Sequence, residues 1–203
     1  VFWGRTFYKY VARMALGKAD LAITPAEYNL PETRKFAPKL ALSVPYGIPD
    51  PCPDFETSIL PRRRARLGAA PVIDPRKENR EGTDPARVRL LFMALCTEEK
   101  GLFDAVRMLH LLNFGKQLPH LSGRFHLTVA GKFLNEEEEQ KFWALVKSHH
   151  LEEDVAYAGF VSGDEKNRLL ADSDLFCFPT YFRGESFGLV LVEAMAFGLP
   201  IVT

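Results

Sequence analysis

Between Val88 and Thr203 short, nearly continuous apolar runs alternate with longer amphipathic stretches, and few folds accept that pattern. Val88 to Leu95 is apolar almost throughout, as a strand covered on both faces must be. Leu102, Val106, Met108, Leu109 and Leu112 then recur at helical spacing. Phe125 to Ala130 is a second strand, ending on Gly131. Asn135 followed by Glu138 forms a capping box, opening a helix that runs towards His150. Val155 to Gly159 is a third strand, and Ser162 with Glu165 makes a second capping box for a helix reaching about Ala171. Leu175 to Phe178, an apolar helix between Gly188 and Gly198, and a last strand from Leu199 to Thr203 complete the alternation. The expected fold class is α/β, a doubly wound parallel, Rossmann-like sheet whose ligands bind beyond the carboxyl ends of its strands.

The residues before Val88 are organised differently. Trp3, Phe7, Tyr10, Val11 and Met14 share one helical face, and Arg5, Lys9 and Arg13 lie on another. Docking onto a sheet is the favoured use of that face, and lying on a membrane surface is the alternative. Asp20 to Thr24 and Leu40 to Val44 read as short buried strands on either side of a helix from Pro25 to about Lys35. Residues 1–48 are therefore expected to be the tail of a second α/β domain, and 88–203 the main, truncated one. Pro49 to Arg87 is proline-rich and charged with little apolar periodicity, so it reads as a linker or surface excursion. Its Arg62-Arg63-Arg64-Ala-Arg66 run lacks interleaved aromatics, which favours a solvated helix over a nucleic-acid or headgroup patch. Val1 falls inside a helical pattern and Thr203 inside a strand, so a fragment of a longer chain is expected.

The 26 basic residues equal the 26 acidic ones, so no whole-chain field favours nucleic acid. Cys52, Cys96 and Cys177 lack metal-ligand spacing; Cys96 and Cys177, at the ends of apolar strand-like runs, are expected as buried free thiols, and the set suits a reducing, cytoplasmic setting. No apolar run approaches membrane-spanning length. Glu136 to Glu139 and His149-His150 suit the two ends of one helix dipole better than a metal site. Neither a Gly-x-Gly-x-x-Gly after the first main-domain strand nor a Gly-Lys-Ser/Thr loop is present, against a dinucleotide dehydrogenase or a P-loop nucleotidase.

In such a sheet the ligand faces Thr97 to Gly101, Gly131-Lys132, Phe160-Val161-Ser162 and Thr180 to Gly188. Lys100 beside Gly101 offers a point cation, and Phe187, Gly188, Leu189 and Val190 open a helix whose unpaired N–H groups suit a phosphate. Glu193 interrupts an otherwise apolar helix. A carboxylate there is costly unless something hydrogen-bonds it, and a pair of ribose hydroxyls could do so. On spacing alone the alternatives stay open: Lys100 as a surface lysine, and Glu193 as a structural carboxylate paired with an arginine.

Glu185-Ser-Phe-Gly-Leu-Val-Leu-Val-Glu193, followed by Ala-Met-Ala-Phe-Gly-Leu-Pro-Ile-Val, resembles the Glu-x7-Glu signature of family-4 retaining glycosyltransferases of GT-B fold. Further landmarks follow that family's order: Glu99-Lys100-Gly101, Leu127 to Gly131, Val155 to Ser162, and Ala171 to Pro179. Upstream, Ala19 to Thr24 and Ser43 to Ile48 resemble the end of the family's N-terminal domain. The resemblance implies transfer of a sugar from a nucleotide-diphosphate sugar to an acceptor hydroxyl with retention of configuration. It implies no cofactor and no obligatory metal. Glu193 resembles the ribose-binding glutamate, and Glu185 the catalytic-site glutamate near the donor sugar. Lys100 resembles the basic residue on the diphosphate, aided by the helix start at Gly188, and Phe160-Val161 the segment whose backbone meets the base.

One departure matters here. The family usually has Gly-Arg where this chain has Ala94-Leu95, so half of the cationic clamp is missing, with Arg183 the candidate substitute. The front of the N-terminal domain, with its glycine-rich loop and histidine, is also expected to be absent. The alternatives are another GT-B enzyme, such as an epimerase or phosphorylase, and a sugar-nucleotide-binding protein without transferase activity. The expected partners are the nucleotide-sugar and an acceptor that is a glycan, lipid or small molecule, with peripheral membrane contact as an option.

Overall fold

Alternate residues of one strand face two different cores, and this organises the larger part of the chain. In β3 (Val88–Met93), Leu90 and Phe92 join one apolar cluster while Leu91 and Met93 join the other. A strand covered on both faces has no polar side to spare, which is why the run reads as nearly continuous. The computed structural model describes residues 10–11, 13–15, 17–45, 47–69, 87–116, 123–182 and 188–203. Expectations resting on Trp3 and Phe7, on 70–86, and on Arg183, Glu185 and Phe187 lie outside those residues. The chain divides into two units, Val1–Pro49 with Gly184–Leu189, and Asp50–Arg183 with Val190–Thr203.

In the first unit, β1 (Leu21–Thr24) and β2 (Leu40–Ser43) pair in parallel, with Leu21 opposite Leu40 and Ile23 opposite Leu42. A 3₁₀ turn at Glu27–Asn29 and α1 (Leu30–Arg34) connect them. The helix opens at Leu30, with Pro31 in its first turn, instead of at Pro25, because either proline suits a first helical turn and Glu27–Asn29 wind more tightly. Leu21, Ile23, Leu40 and Leu42 are all exposed, so these strands are not the buried ones their composition suggests. Tyr10, Val11 and Met14 are exposed as well.

In the second unit, α2 (Leu60–Ala69) precedes β3, and the alternation continues with α3 (Leu102–Phe114), β4 (Phe125–Ala130) and α4 (Glu136–Ser148). It ends with β5 (Val155–Gly159), α5 (Gly163–Asp172), β6 (Leu175–Cys177), α6 (Leu189–Ala196) and β7 (Ile201–Val202). The strands form one parallel sheet in the order β5-β4-β3-β6-β7. The chain winds outward from β3 to β5, crosses over through α5, and winds outward again from β6. The expected doubly wound α/β fold is the observed one, with its switch point between β3 and β6. Of the two capping boxes, Asn135 accepts from the Glu138 N–H at 2.9 Å. Ser162 has the extended cap backbone, but its side chain makes no cap hydrogen bond.

Buried polar groups pin the edges. The Asn113 amide is fully buried, donates to the Phe125 carbonyl and the Asp154 carboxylate, and accepts from the Phe125 N–H, each at 3.0 Å. Arg87 pairs with the same Asp154 at 2.9 Å. All three cysteines are free and buried, and burial pushes the Cys96 and Cys177 thiols up to about 12.

The arginine run is not solvated as a whole. Arg63 is buried and donates to the carbonyls of Phe197 at 2.6 Å, Gly198 at 3.1 Å and Leu170 at 3.4 Å. Arg66 pairs through both terminal nitrogens with the buried Asp174. A stretch with little apolar periodicity can still be built into a core when guanidinium groups meet orphan carbonyls at helix ends.

Beyond α6 the chain reverses in a Schellman turn: Gly198 N–H donates to the Met195 carbonyl at 2.8 Å and Leu199 N–H to that of Ala194 at 3.0 Å. Gly198 has φ +63°, and a Cβ added there would lie 2.5 Å from the Phe55 ring. Gly198→Ala is expected to cost roughly 1–3 kcal/mol, from left-handed strain and the ring displaced. Chemical denaturation would read this as a lower midpoint at unchanged slope.

Candidate functional site

The carboxyl ends of β3, β4 and β5 open into a cleft of about 470 Å³, closed on one side by residues of α5 and α6. Its walls are mostly apolar, with three polar side chains of consequence: Lys132 after β4, Lys166 on α5 and Glu193 on α6. Glu193 lies one turn into its helix and accepts from the Lys166 ammonium at 2.6 Å. Their side chains are 20% and 25% exposed, so the pair is accessible from the cleft. The sequence left open an arginine partner for Glu193; the partner is a lysine from the preceding helix. A carboxylate has about four acceptor positions, so this single donor leaves capacity for ligand hydroxyls.

Gly131 sets the cleft floor. Its φ is +148°, its N–H donates to the Gly159 carbonyl at 2.8 Å, and its carbonyl accepts from the Tyr157 hydroxyl at 2.9 Å. A Cβ here would stand 1.8 Å from the Ala94 carbonyl oxygen, so only glycine lets β4 leave the sheet this close to β3. Phe160 and Val161, from the loop after β5, line the cleft too; Val161 is buried and the Phe160 ring exposed.

The other residues singled out from the sequence stand elsewhere. Lys100 and Gly101 do not line this cleft. The Lys100 ammonium lies over the Phe182 ring at 4.4 Å and 6.0 Å from the Phe178 ring centre. Gly101 has φ +81°, and an added Cβ would lie 2.1 Å from the Pro179 carbonyl, so the fold itself requires glycine there. Gly188, at φ +66°, and Leu189 lead into α6. Arg183, Glu185 and Phe187 lie outside the described residues. Leu95, at the position where the resemblance leads one to expect arginine, lines the cleft with an exposed apolar side chain.

Residues 74–203 match the family described as "Glycosyl transferases group 1", well over half of the chain. The chain belongs to that family. A 38% identity over 82 residues links it to the mannosylfructose-phosphate synthase of Agrobacterium fabrum, covering 39% of this chain and 18% of that protein. A 30% identity over 137 residues links it to the amylovoran biosynthesis glycosyltransferase AmsK of Erwinia amylovora, covering 64% of this chain and 31% of that one. Among solved structures, Anabaena HepE in complex with UDP and glucose superposes with a TM-score of 0.67 at 18% identity, over 96% of this chain and 48% of HepE. The lipopolysaccharide-biosynthesis glycosyltransferase WaaG superposes at 0.57 with 21% identity, over 88% of this chain and 42% of WaaG. The fold is thus the GT-B type, and this group 1 chain spans half or less of the length of each of these proteins.

The sequence pattern does not single out Lys166 and assigns Lys132 no role. Lys166 is one turn past Ser162, and a cation one turn inside a helix that starts at the ligand edge is the signal that could have found it. Lys132 stands in a ligand-facing loop, next to a glycine that the close approach demands.

Proposed function

We propose that this group 1 glycosyltransferase chain supplies the donor-binding half of an enzyme moving a sugar from a nucleotide-diphosphate sugar to an acceptor hydroxyl, with retention of configuration. The observation that carries the reading is the Glu193–Lys166 pair at the open end of the sheet, 2.6 Å apart and facing a cleft. Glu193 accepts from the ribose 2′- and 3′-hydroxyls while the Lys166 ammonium holds the carboxylate in place. Lys100 and the N-terminal end of α6 act on the diphosphate, where charge develops as the glycosidic bond breaks. The new bond to the acceptor oxygen forms on the face the diphosphate leaves. The Glu-x7-Glu resemblance assigns Glu185 to the donor sugar, Arg183 stands in for the missing clamp arginine, and Phe187 belongs to the helix start that takes the phosphate. No cofactor or metal enters this scheme. HepE, a relative in fold, is described in complex with UDP and with UDP-glucose, which supports a nucleotide-sugar as the partner.

Buried free thiols suit a reducing, cytoplasmic compartment, and no helix among the described residues is long and apolar enough to cross a membrane. The acceptor class is a glycan, lipid or small molecule, and the sequence spacing of Arg5, Lys9 and Arg13 makes peripheral membrane contact part of the proposal. Leu95 favours a second reading, a sugar-nucleotide-binding protein without transferase activity, because half of the family's usual cationic clamp is absent.

The deciding experiment is calorimetric titration of the intact protein with UDP-, GDP- and ADP-sugars, then single-turnover transfer assays with the anomeric product read by NMR. Binding of a donor with transfer and retention is the expected outcome. Binding without transfer to any acceptor class tried would favour the second reading, and an inverted product would overturn the retaining mechanism.

A further inference from the structure

Lys132 is held in an unusual setting for a loop lysine. Its own carbonyl accepts from the Cys96 N–H at 2.8 Å, and the preceding Gly131 is bonded to Gly159. The following Phe133 packs on Phe142 and Tyr157, with ring centres 5.4 and 5.0 Å away. With its backbone fixed on both sides, the Lys132 side chain borders the cleft and sets its ammonium 4.8 Å from the centre of the Phe160 ring. It has no ion-pair partner among the described residues. Phe160 is 64% exposed, a large apolar ring left in water at the cleft mouth.

The topology says which part of a ligand this pair meets. Lys132 and Phe160 follow β4 and β5, the strands on the far side of β3 from β6. Lys100 follows β3 and α6 follows β6, which puts the phosphate-binding groups of the proposed function near the switch point. Neighbouring strands are about 4.8 Å apart. A nucleotide with its ribose on Glu193 and its diphosphate towards β3 and β6 therefore extends its base towards β4 and β5.

We propose that Lys132 and Phe160 form a base-selecting clamp that takes a nucleobase with a carbonyl on its exposed edge, uracil or guanine, and rejects adenine. The proposal rests on the donor reading above and deepens it. Phe160 gives the base a stacking face, which is tolerant of base identity. Lys132 supplies the discrimination. Its ammonium is donor-only and needs an acceptor, which O4 of uracil and O6 with N7 of guanine provide. Adenine presents an amino group in the place of that carbonyl and keeps only N7 as an acceptor there, so the same ammonium loses one acceptor and faces a donor beside it. The contact with Phe160 keeps the ammonium at the cleft mouth, and a base that stacks on the ring moves it from the ring face to the base edge.

The test is titration of the intact protein and of its Lys132→Met and Phe160→Leu variants with UDP, GDP, ADP and inorganic pyrophosphate, with melting temperatures recorded. The unsubstituted protein is expected to bind UDP or GDP about ten- to a hundredfold more tightly than ADP, the effect of one hydrogen bond to a charged group. Lys132→Met should collapse that ratio to within a few-fold and leave pyrophosphate binding unchanged. Phe160→Leu should weaken all three nucleotides together by about five- to a hundredfold, as loss of base stacking does. Equal weakening of the three nucleotides and pyrophosphate by Lys132→Met would make Lys132 a phosphate cation and overturn the proposal. An unchanged ratio would overturn it too. Failure of the unsubstituted protein to bind any nucleotide would sink the donor reading itself, and the base clamp with it.

Discussion

Glu193→Ala is expected to weaken binding of the preferred nucleoside diphosphate at least a hundredfold while moving the melting temperature by only a few degrees. Two hydroxyl hydrogen bonds to a carboxylate, at about 1.5–3 kcal/mol each, exceed the ~2.7 kcal/mol that a hundredfold requires. The cost to the fold is smaller. The Glu193–Lys166 pair is only a fifth to a quarter exposed, but the lysine left behind borders the open cleft, where water reaches its ammonium. The cost is therefore about 1 kcal/mol and not the roughly 3–5 kcal/mol of breaking a fully buried pair. For a chain of this size that corresponds to roughly 2–4 °C or less. On the proposed ribose role of Glu193, Lys166→Met should weaken the same ligand less, because the lysine acts only through the carboxylate it pairs with. Titration and thermal denaturation of the same preparations separate the effects. A large loss of stability with unchanged affinity would make Glu193 a structural carboxylate and remove the ribose role.

What the sequence made legible follows from periodicity. Phe125–Ala130 and Val155–Gly159 are bounded as expected, since each is a largely apolar run closed by a glycine at its carboxyl end. The helices between them start and stop within a few residues of their caps. Glu193 was found because a carboxylate in an apolar run is an exception that needs a cause. Its lysine partner is 27 residues away, on another helix, and side-chain pairing across helices leaves no periodic trace. The exposed Leu21, Ile23, Leu40 and Leu42 were misjudged for a related reason. An apolar run says that a strand can be covered, and what covers it is set by other elements. The clearest misjudgement was the arginine run, where charge density stood in for burial.

That run gives the second large effect. Arg63→Ala is expected to destabilise the protein by about 3 kcal/mol, near 6–12 °C in melting temperature. The substitution leaves the Phe197, Gly198 and Leu170 carbonyls without their donor and opens a space where a buried side chain stood. Each buried polar group left unsatisfied costs about 1–3 kcal/mol, partly recovered where water can enter. Arg62 and Arg64, exposed on the same helix, are the controls, and their alanine variants should stay within about 0.5 kcal/mol of the parent. Calorimetry on the three variants discriminates sharply, because a solvated helix would show three equal, small changes. The effect should also reach the site. Phe197 and Gly198 close the helix that carries Glu193, so donor affinity in Arg63→Ala should fall even at temperatures where the protein is fully folded. Unchanged affinity with lowered stability would confine Arg63 to the core. A melting temperature equal to that of the Arg62 variant would show that its carbonyl contacts contribute nothing.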